Sequence, residues 1–140
     1  LFEIKGALIM KNITAVLMVL LSLVAARAFA QDSSETAKIQ YLIGCVEALE
    51  GAKFIRNGSV HDARTASDHL RLKFKAAGKK VKTAEDFITF CASKSSITGE
   101  PYWVRFADGT TVKSEVFFRN KLKTWAAVRA RGQEAGQKVP

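Results

Sequence analysis

Three groups of residues carry side chains able to do chemistry. The first is Ser93-Lys94-Ser95-Ser96-Ile97-Thr98-Gly99, where hydroxyls stand beside a lysine. A Ser/Lys nucleophile needs that lysine neutral and desolvated. Neighbouring residues on a helix do not face one another, and the spacing matches neither a nucleophile elbow nor S-x-x-K. The hydroxyls are better read as partners for the free carbonyls of a helix end and as shapers of the turn into Pro101. The second group is His61 and His69, eight positions apart and off a common helical face, whereas paired helical metal ligands need i, i+4 or i, i+3. No metal site and no cofactor is expected from them. Glycine-rich phosphate loops, H-E-x-x-H, EF-hand and G-x-S-x-G patterns are absent from the sequence.

The third group is the cysteines, Cys45 and Cys91, whose meaning depends on compartment. Each falls on or beside the apolar stripe of its helix. A bridge between them would be worth about 4 kcal/mol in the chain-entropy account. The expectation is a disulfide, and no C-x-x-C redox motif accompanies it.

Export is what makes that bridge plausible. From Met10 the chain reads Met-Lys-Asn, then an uncharged run to Ala26, then Ala28-Phe29-Ala30 before Gln31. A positive start, an apolar stretch and small residues in an A-x-A arrangement describe a secretory signal peptide, with cleavage after Ala30. The run is shorter than the roughly 20 residues a spanning helix needs. Residues 1–30 are therefore set aside as upstream residues plus signal peptide, 31–131 are expected to form one globular domain, and 132–140 a flexible tail. The expected location is periplasmic or secreted, with no membrane span after processing.

Charge points the same way. The 140 residues hold 22 Lys and Arg against 13 Asp and Glu, a net charge of +9. In an exported protein that excess does not imply nucleic acid. Arg71, Lys73, Lys75, Lys79, Lys80 and Lys82 form an acid-free basic run, read as a solvated face or as a weak contact with anionic surfaces. At 48% hydrophobic residues the chain is too apolar for disorder, and with two cysteines it is no disulfide miniprotein.

The elements that must position these groups follow from periodicity. Ile39, Leu42, Ile43, Val46 and Leu49 mark a first amphipathic helix opened by Asp32–Glu35 and ended by Gly51. Phe54-Ile55 runs into an Asn57-Gly58 turn. Ser59 with Asp62 can cap a second helix with Ala63, Ala66, Leu70, Phe74 and Ala77 inward. Thr83 and Asp86 open a third, carrying Phe87, Ile88, Cys91 and Ala92. Asp108-Gly109 between two short β-rich runs signals a hairpin. Ser114 caps a last helix with Val116, Phe117, Phe118, Leu122, Trp125 and Val128. The predicted class is α+β, mainly α: three amphipathic helices, a short β-hairpin and a C-terminal helix.

Several of these strings carry a resemblance. Phe54-Ile55-Arg56-Asn57-Gly58, then Ala66, His69-Leu70 and Lys73, then Thr83-Ala84-Glu85, Phe87-Ile88, Ala92-Ser93, Ser95-Ser96 and Thr98-Gly99-x-Pro101-Tyr102 resemble domain-of-unknown-function family 5329, the YfeK-like small periplasmic proteins. The resemblance implies export, small size and no assigned activity, and Cys45 and Cys91 are not part of its pattern. It picks out one candidate surface: Arg56, Asn57, His69, Ser95, Ser96, Thr98 and Tyr102, either a binding surface or a structural pin between turn and loop. The function expected is a non-catalytic module that binds an envelope component or protein partner. The alternative is a small envelope hydrolase or transferase with His69 as base and Ser95 or Ser96 as nucleophile.

Overall fold

The computed structural model describes residues 2–136. The chain divides into two compact units, residues 1–34 and 35–140. The side chains around the expected cleavage site at Ala30, and residues 137–140 of the expected tail, lie outside the described ones. Among the described residues no helix is long and apolar enough to cross a membrane.

Helix α1 spans Phe2–Glu47. It does not start at the Asp32–Glu35 cap expected from the sequence, because the helix runs through it. In the second unit, Glu35 instead accepts a hydrogen bond from the Ala84 amide at 2.8 Å, satisfying a helix N-terminus far along the chain. The α1 stripe is buried as its spacing requires: Ile39, Leu42, Ile43 and Val46 are all in the core.

Strands β1 (Lys53–Arg56) and β2 (Ser59–His61) form a hairpin absent from the sequence-based outline. Arg56 pairs with Ser59, leaving Asn57-Gly58 as a two-residue loop. Their φ angles of 48° and 76° are both left-handed, as the primed turn that matches strand twist demands. Ser59 therefore belongs to a strand and does not cap α2 (Ala63–Ala77); Asp62 does, its carboxylate accepting from the Thr65 amide at 2.8 Å. A 3-10 turn, Gly78–Lys80, follows.

Helix α3, Ala84–Phe87, opens at Thr83 and Asp86 as expected, the two forming a capping box, then widens into a π-helical turn over Ile88–Ala92. Strands β3 (Trp103–Arg105) and β4 (Thr111–Lys113) make the predicted hairpin around Asp108-Gly109. Helix α4 spans Ser114–Gly136, past the boundary expected at Arg131. Phe117 and Phe118 are buried, whereas Val116 and Val128 of the expected stripe stand exposed.

The four strands form one antiparallel sheet in the order β2-β1-β3-β4. His61, Phe54, Val104 and Val112 are successive partners across it and so share a face. Phe54 and Val104 on that face are buried against the helices, giving the α+β, mainly α architecture. The core is tied together by aromatic edges: Phe87 meets Phe74 at 5.8 Å and Phe118 at 6.2 Å, both nearly perpendicular.

Candidate functional site

Alternation along β1 puts Arg56 on the same face as Phe54, the face that the helices cover. On α2, Ala66, His69, Leu70 and Lys73 fall at i, i+3, i+4 and i+7 and form one stripe turned to the same place. The π-helical turn adds Cys91 and Ala92, and α4 adds Phe118. Between them lies a cavity of about 50 Å³, closed also by His61, Tyr102 and Ser114.

Its lining divides by polarity. Phe54, Ala66, Leu70, Cys91, Ala92 and Phe118 are buried and supply an apolar floor. Arg56, His61, His69, Lys73 and Tyr102 are half-buried and stand where the cavity meets solvent. Among the described residues no carboxylate lines it. Lys73 Nζ donates to the Tyr102 hydroxyl and to the Lys94 carbonyl, each at 3.3 Å, and sits 5.0 Å from the centre of the Tyr102 ring. Neither Arg56 nor Lys73 has a carboxylate partner among the described residues.

The two imidazoles pack edge to face, with centres 5.2 Å apart and planes at 75°. Burial holds the His69 pKa below the ordinary imidazole range, and the positive charges of Arg56 and His61 push it the same way against the weaker pull of Asp68. His69 is thereby biased to the neutral form. Burial likewise pushes the Cys91 thiol up, opposed by the Lys73 ammonium, so Cys91 is a poor nucleophile.

A second cluster lies in the loop before β3. Ser93 and Ser95 are joined to Tyr102 and Glu100 by backbone bonds of 2.9 Å, making a tight ladder. At its tip the buried Ser95 hydroxyl accepts from the amides of Ile97 at 3.3 Å and Thr98 at 3.2 Å, and from the Asn57 side-chain amide at 3.4 Å. The Thr98 hydroxyl donates to the Asn57 side-chain carbonyl at 2.9 Å.

The candidate residues thus separate. Asn57, Ser95 and Thr98 form a hydrogen-bonded pin between the first turn and this loop. Arg56, His69 and Tyr102 line the cavity. Ser96 joins neither and is exposed. Among the described residues, no hydroxyl hydrogen-bonds to His69, and no group of three His, Cys, Asp or Glu side chains could hold a metal ion. Residues outside the candidate surface also line the cavity, His61 and Ser114 among them. The Asn57-Gly58 dipeptide was the available signal for His61, because a two-residue turn forces position 61 opposite position 54.

The cysteines correct an expectation. Cys45 and Cys91 are free thiols. Cys45, half-buried on α1, interacts with the Tyr41 hydroxyl one turn earlier, while Cys91 faces the cavity below Lys73. The basic run is also divided: Arg71 is paired with Glu47 and Asp68, Lys73 faces Tyr102, and Lys75, Lys79, Lys80 and Lys82 are exposed.

Comparison with known proteins adds a family. A family model described as "Family of unknown function (DUF5329)" matches residues 33–126. The uncharacterized protein YfeK of Salmonella typhimurium is similar, at 39% identity over 71 residues, 51% of this chain and 59% of YfeK. The chain thus matches little more than half the length of that relative. No solved structure matches.

Proposed function

The chain belongs to the DUF5329 family of unknown function, and from that premise we propose that it is an exported, non-catalytic binding module of the cell envelope. The observation that carries the reading is the cavity between β1 and α2, where the cations Arg56 and Lys73 border an apolar floor with no carboxylate to neutralise them. Half-buried cations with no carboxylate partner are costly to hold even where, as for Lys73, neutral groups accept from them, and an anionic ligand repays that cost on binding. Export rests on the Met10–Gln31 segment, whose residue types follow the secretory pattern.

The hydrolase or transferase alternative needs a nucleophile beside a base. Ser95 is buried and accepts three hydrogen bonds as a turn former, and Ser96 is exposed outside the cavity. Neither lines the space into which His69 faces.

Three experiments test the proposal together. The intact mass of the exported protein should correspond to a chain starting at Gln31; a cytoplasmic species retaining Met10–Ala30 would remove the envelope assignment. Arg56→Ala in that exported protein should keep the unfolding midpoint of the unsubstituted chain while losing in-cell photo-cross-links to its envelope component. A hydrolytic activity abolished by Ser95→Ala or Ser96→Ala would overturn the non-catalytic reading.

A further inference from the structure

We infer that the cavity binds a short-chain monocarboxylate, with its hydrocarbon body on the floor formed by Leu70, Ala92 and Phe118 and its carboxylate at Arg56 and Lys73. The assignment rests on the binding-module reading and names its ligand class.

Size sets the first limit. A buried water needs about 10–15 Å³ of such space, so about 50 Å³ takes on the order of four small groups. That suits a body of roughly three to five carbons and excludes a sugar ring or a nucleobase as the buried part. Polarity sets the second. Leu70 is 8% exposed, Phe118 1% and Ala92 0%, and none offers a polar atom on its side chain. A polar body would lose its hydration there with nothing in return.

Charge sets the third. The basic and ring-bearing polar groups stand on the half-exposed side, Ser114 adding a buried hydroxyl, and the groups with a fixed charge are both positive. A cationic ligand is repelled by Arg56 and Lys73, and an uncharged one leaves them unpaired. Arg56 supplies the planar donor fork that suits a carboxylate, and Lys73 supplies a point charge already oriented by its bonds to Tyr102 and Lys94. Inorganic phosphate meets the charge condition but has no apolar part for the floor.

The carboxylate has two sources with this one chemistry: a free acid, or the C-terminal carboxylate of a peptide ending in a small apolar residue. Trp103 also lines the cavity, so its fluorescence reports occupancy. The exported protein is titrated with isovalerate, isovaleramide, isoamylamine and inorganic phosphate, and with a tripeptide ending in valine as free acid and as amide. Isovalerate should saturate the signal, and Arg56→Gln should weaken it by about tenfold or more, as loss of a charge-assisted pair implies. Ala66→Val, which fills part of the floor, should weaken isovalerate without abolishing the fold, as circular dichroism will report.

Saturation by the free-acid peptide assigns the peptide source, and saturation by isovalerate without the peptide assigns the free acid. Equal response to isovaleramide, isoamylamine or phosphate overturns the inference, as does Arg56→Gln binding that matches the unsubstituted protein. If no acid binds up to about 10 mM, weaker than any millimolar complex, the ligand assignment is lost. Cross-links that still depend on Arg56 would then keep the module reading; their loss as well would remove both.

Discussion

Thr98 donates its hydroxyl hydrogen to the side-chain carbonyl of Asn57 at 2.9 Å, bridging residues 41 positions apart in the chain. Asn57 answers with its amide, which points to Ser95 at 3.4 Å. One side chain therefore spends both halves of its amide on the same loop, and that loop leads through Tyr102 to the cavity wall. The pin sets where the turn carrying Arg56 stands relative to the strand carrying Trp103.

Asn57 has two jobs, and two substitutions separate them. Asn57→Gly keeps the left-handed φ of 48° but removes the pin, and should cost about 0.5–1.5 kcal/mol. Asn57→Ala removes the pin and adds the strain of an alanine in left-handed space, roughly 1–2 kcal/mol more. Thermal unfolding should rank unsubstituted above glycine above alanine. An alanine variant as stable as the glycine variant would show that the turn does not hold this conformation.

Adjacent serines should behave oppositely. Ser95→Ala strands the amides of Ile97 and Thr98 and the Asn57 side chain, and should lower stability by about 1–3 kcal/mol. Ser96→Ala should stay within about 0.5 kcal/mol of the parent, as exposed substitutions do. Urea midpoints decide it; equal effects at the two positions would sink the assignment of Ser95 as the turn former.

His69 makes stability depend on pH. Its pKa in the fold lies below the ordinary 6.5, chiefly through burial, so the unfolded chain takes up a proton more readily than the folded one. The contribution of neutral His69 is thus complete above the ordinary value and is lost as pH falls through the folded pKa. Urea midpoints measured from about pH 7.5 down to about pH 5 should decline, and the decline should be shallower in His69→Gln. An identical slope in the variant would assign the loss to other groups.

Both cysteines should react as thiols. Unfolding without reductant should expose two labelling sites per chain, because Cys45 and Cys91 are unpaired. In the folded protein Cys91 should label far more slowly than Cys45, since it is 1% exposed and its thiol pKa is raised. No label after unfolding would mean the pair is oxidised.

The helices were legible because a 3.6-residue stripe is a local signal: Ile39, Leu42, Ile43 and Val46 announce their burial by spacing alone. The capping box of Thr83 and Asp86 and the turn at Asp108-Gly109 are equally local. Strand β2 was hidden because it has three residues and its one apolar residue, Val60, is 56% exposed, so no alternation betrays it. The start of α1 was misplaced because cap residues only permit a helix to begin. Within the candidate surface, Asn57, Ser95 and Thr98 do meet, and Arg56, His69 and Tyr102 do share a cavity. That these are two places and not one depends on the register of β1 against β3, which residue types do not disclose.

The strand order β2-β1-β3-β4 also has a kinetic meaning. Each outer pair closes over a short turn and can form in about 1–10 μs. The central pair, β1 with β3, joins segments separated by α2 and α3, so its loop-closure entropy must be met before any of its bonds are gained. Folding should therefore wait on that seam, with Phe54 and Val104 meeting late among the sheet contacts and early relative to the barrier. Val104→Ala should slow refolding in a chevron measurement, and an effect confined to the unfolding arm would put the seam after the rate-limiting step. Until the seam closes, each hairpin presents an unpaired edge strand, and those two edges are the surfaces through which a newly made chain is most exposed to pairing with a neighbour.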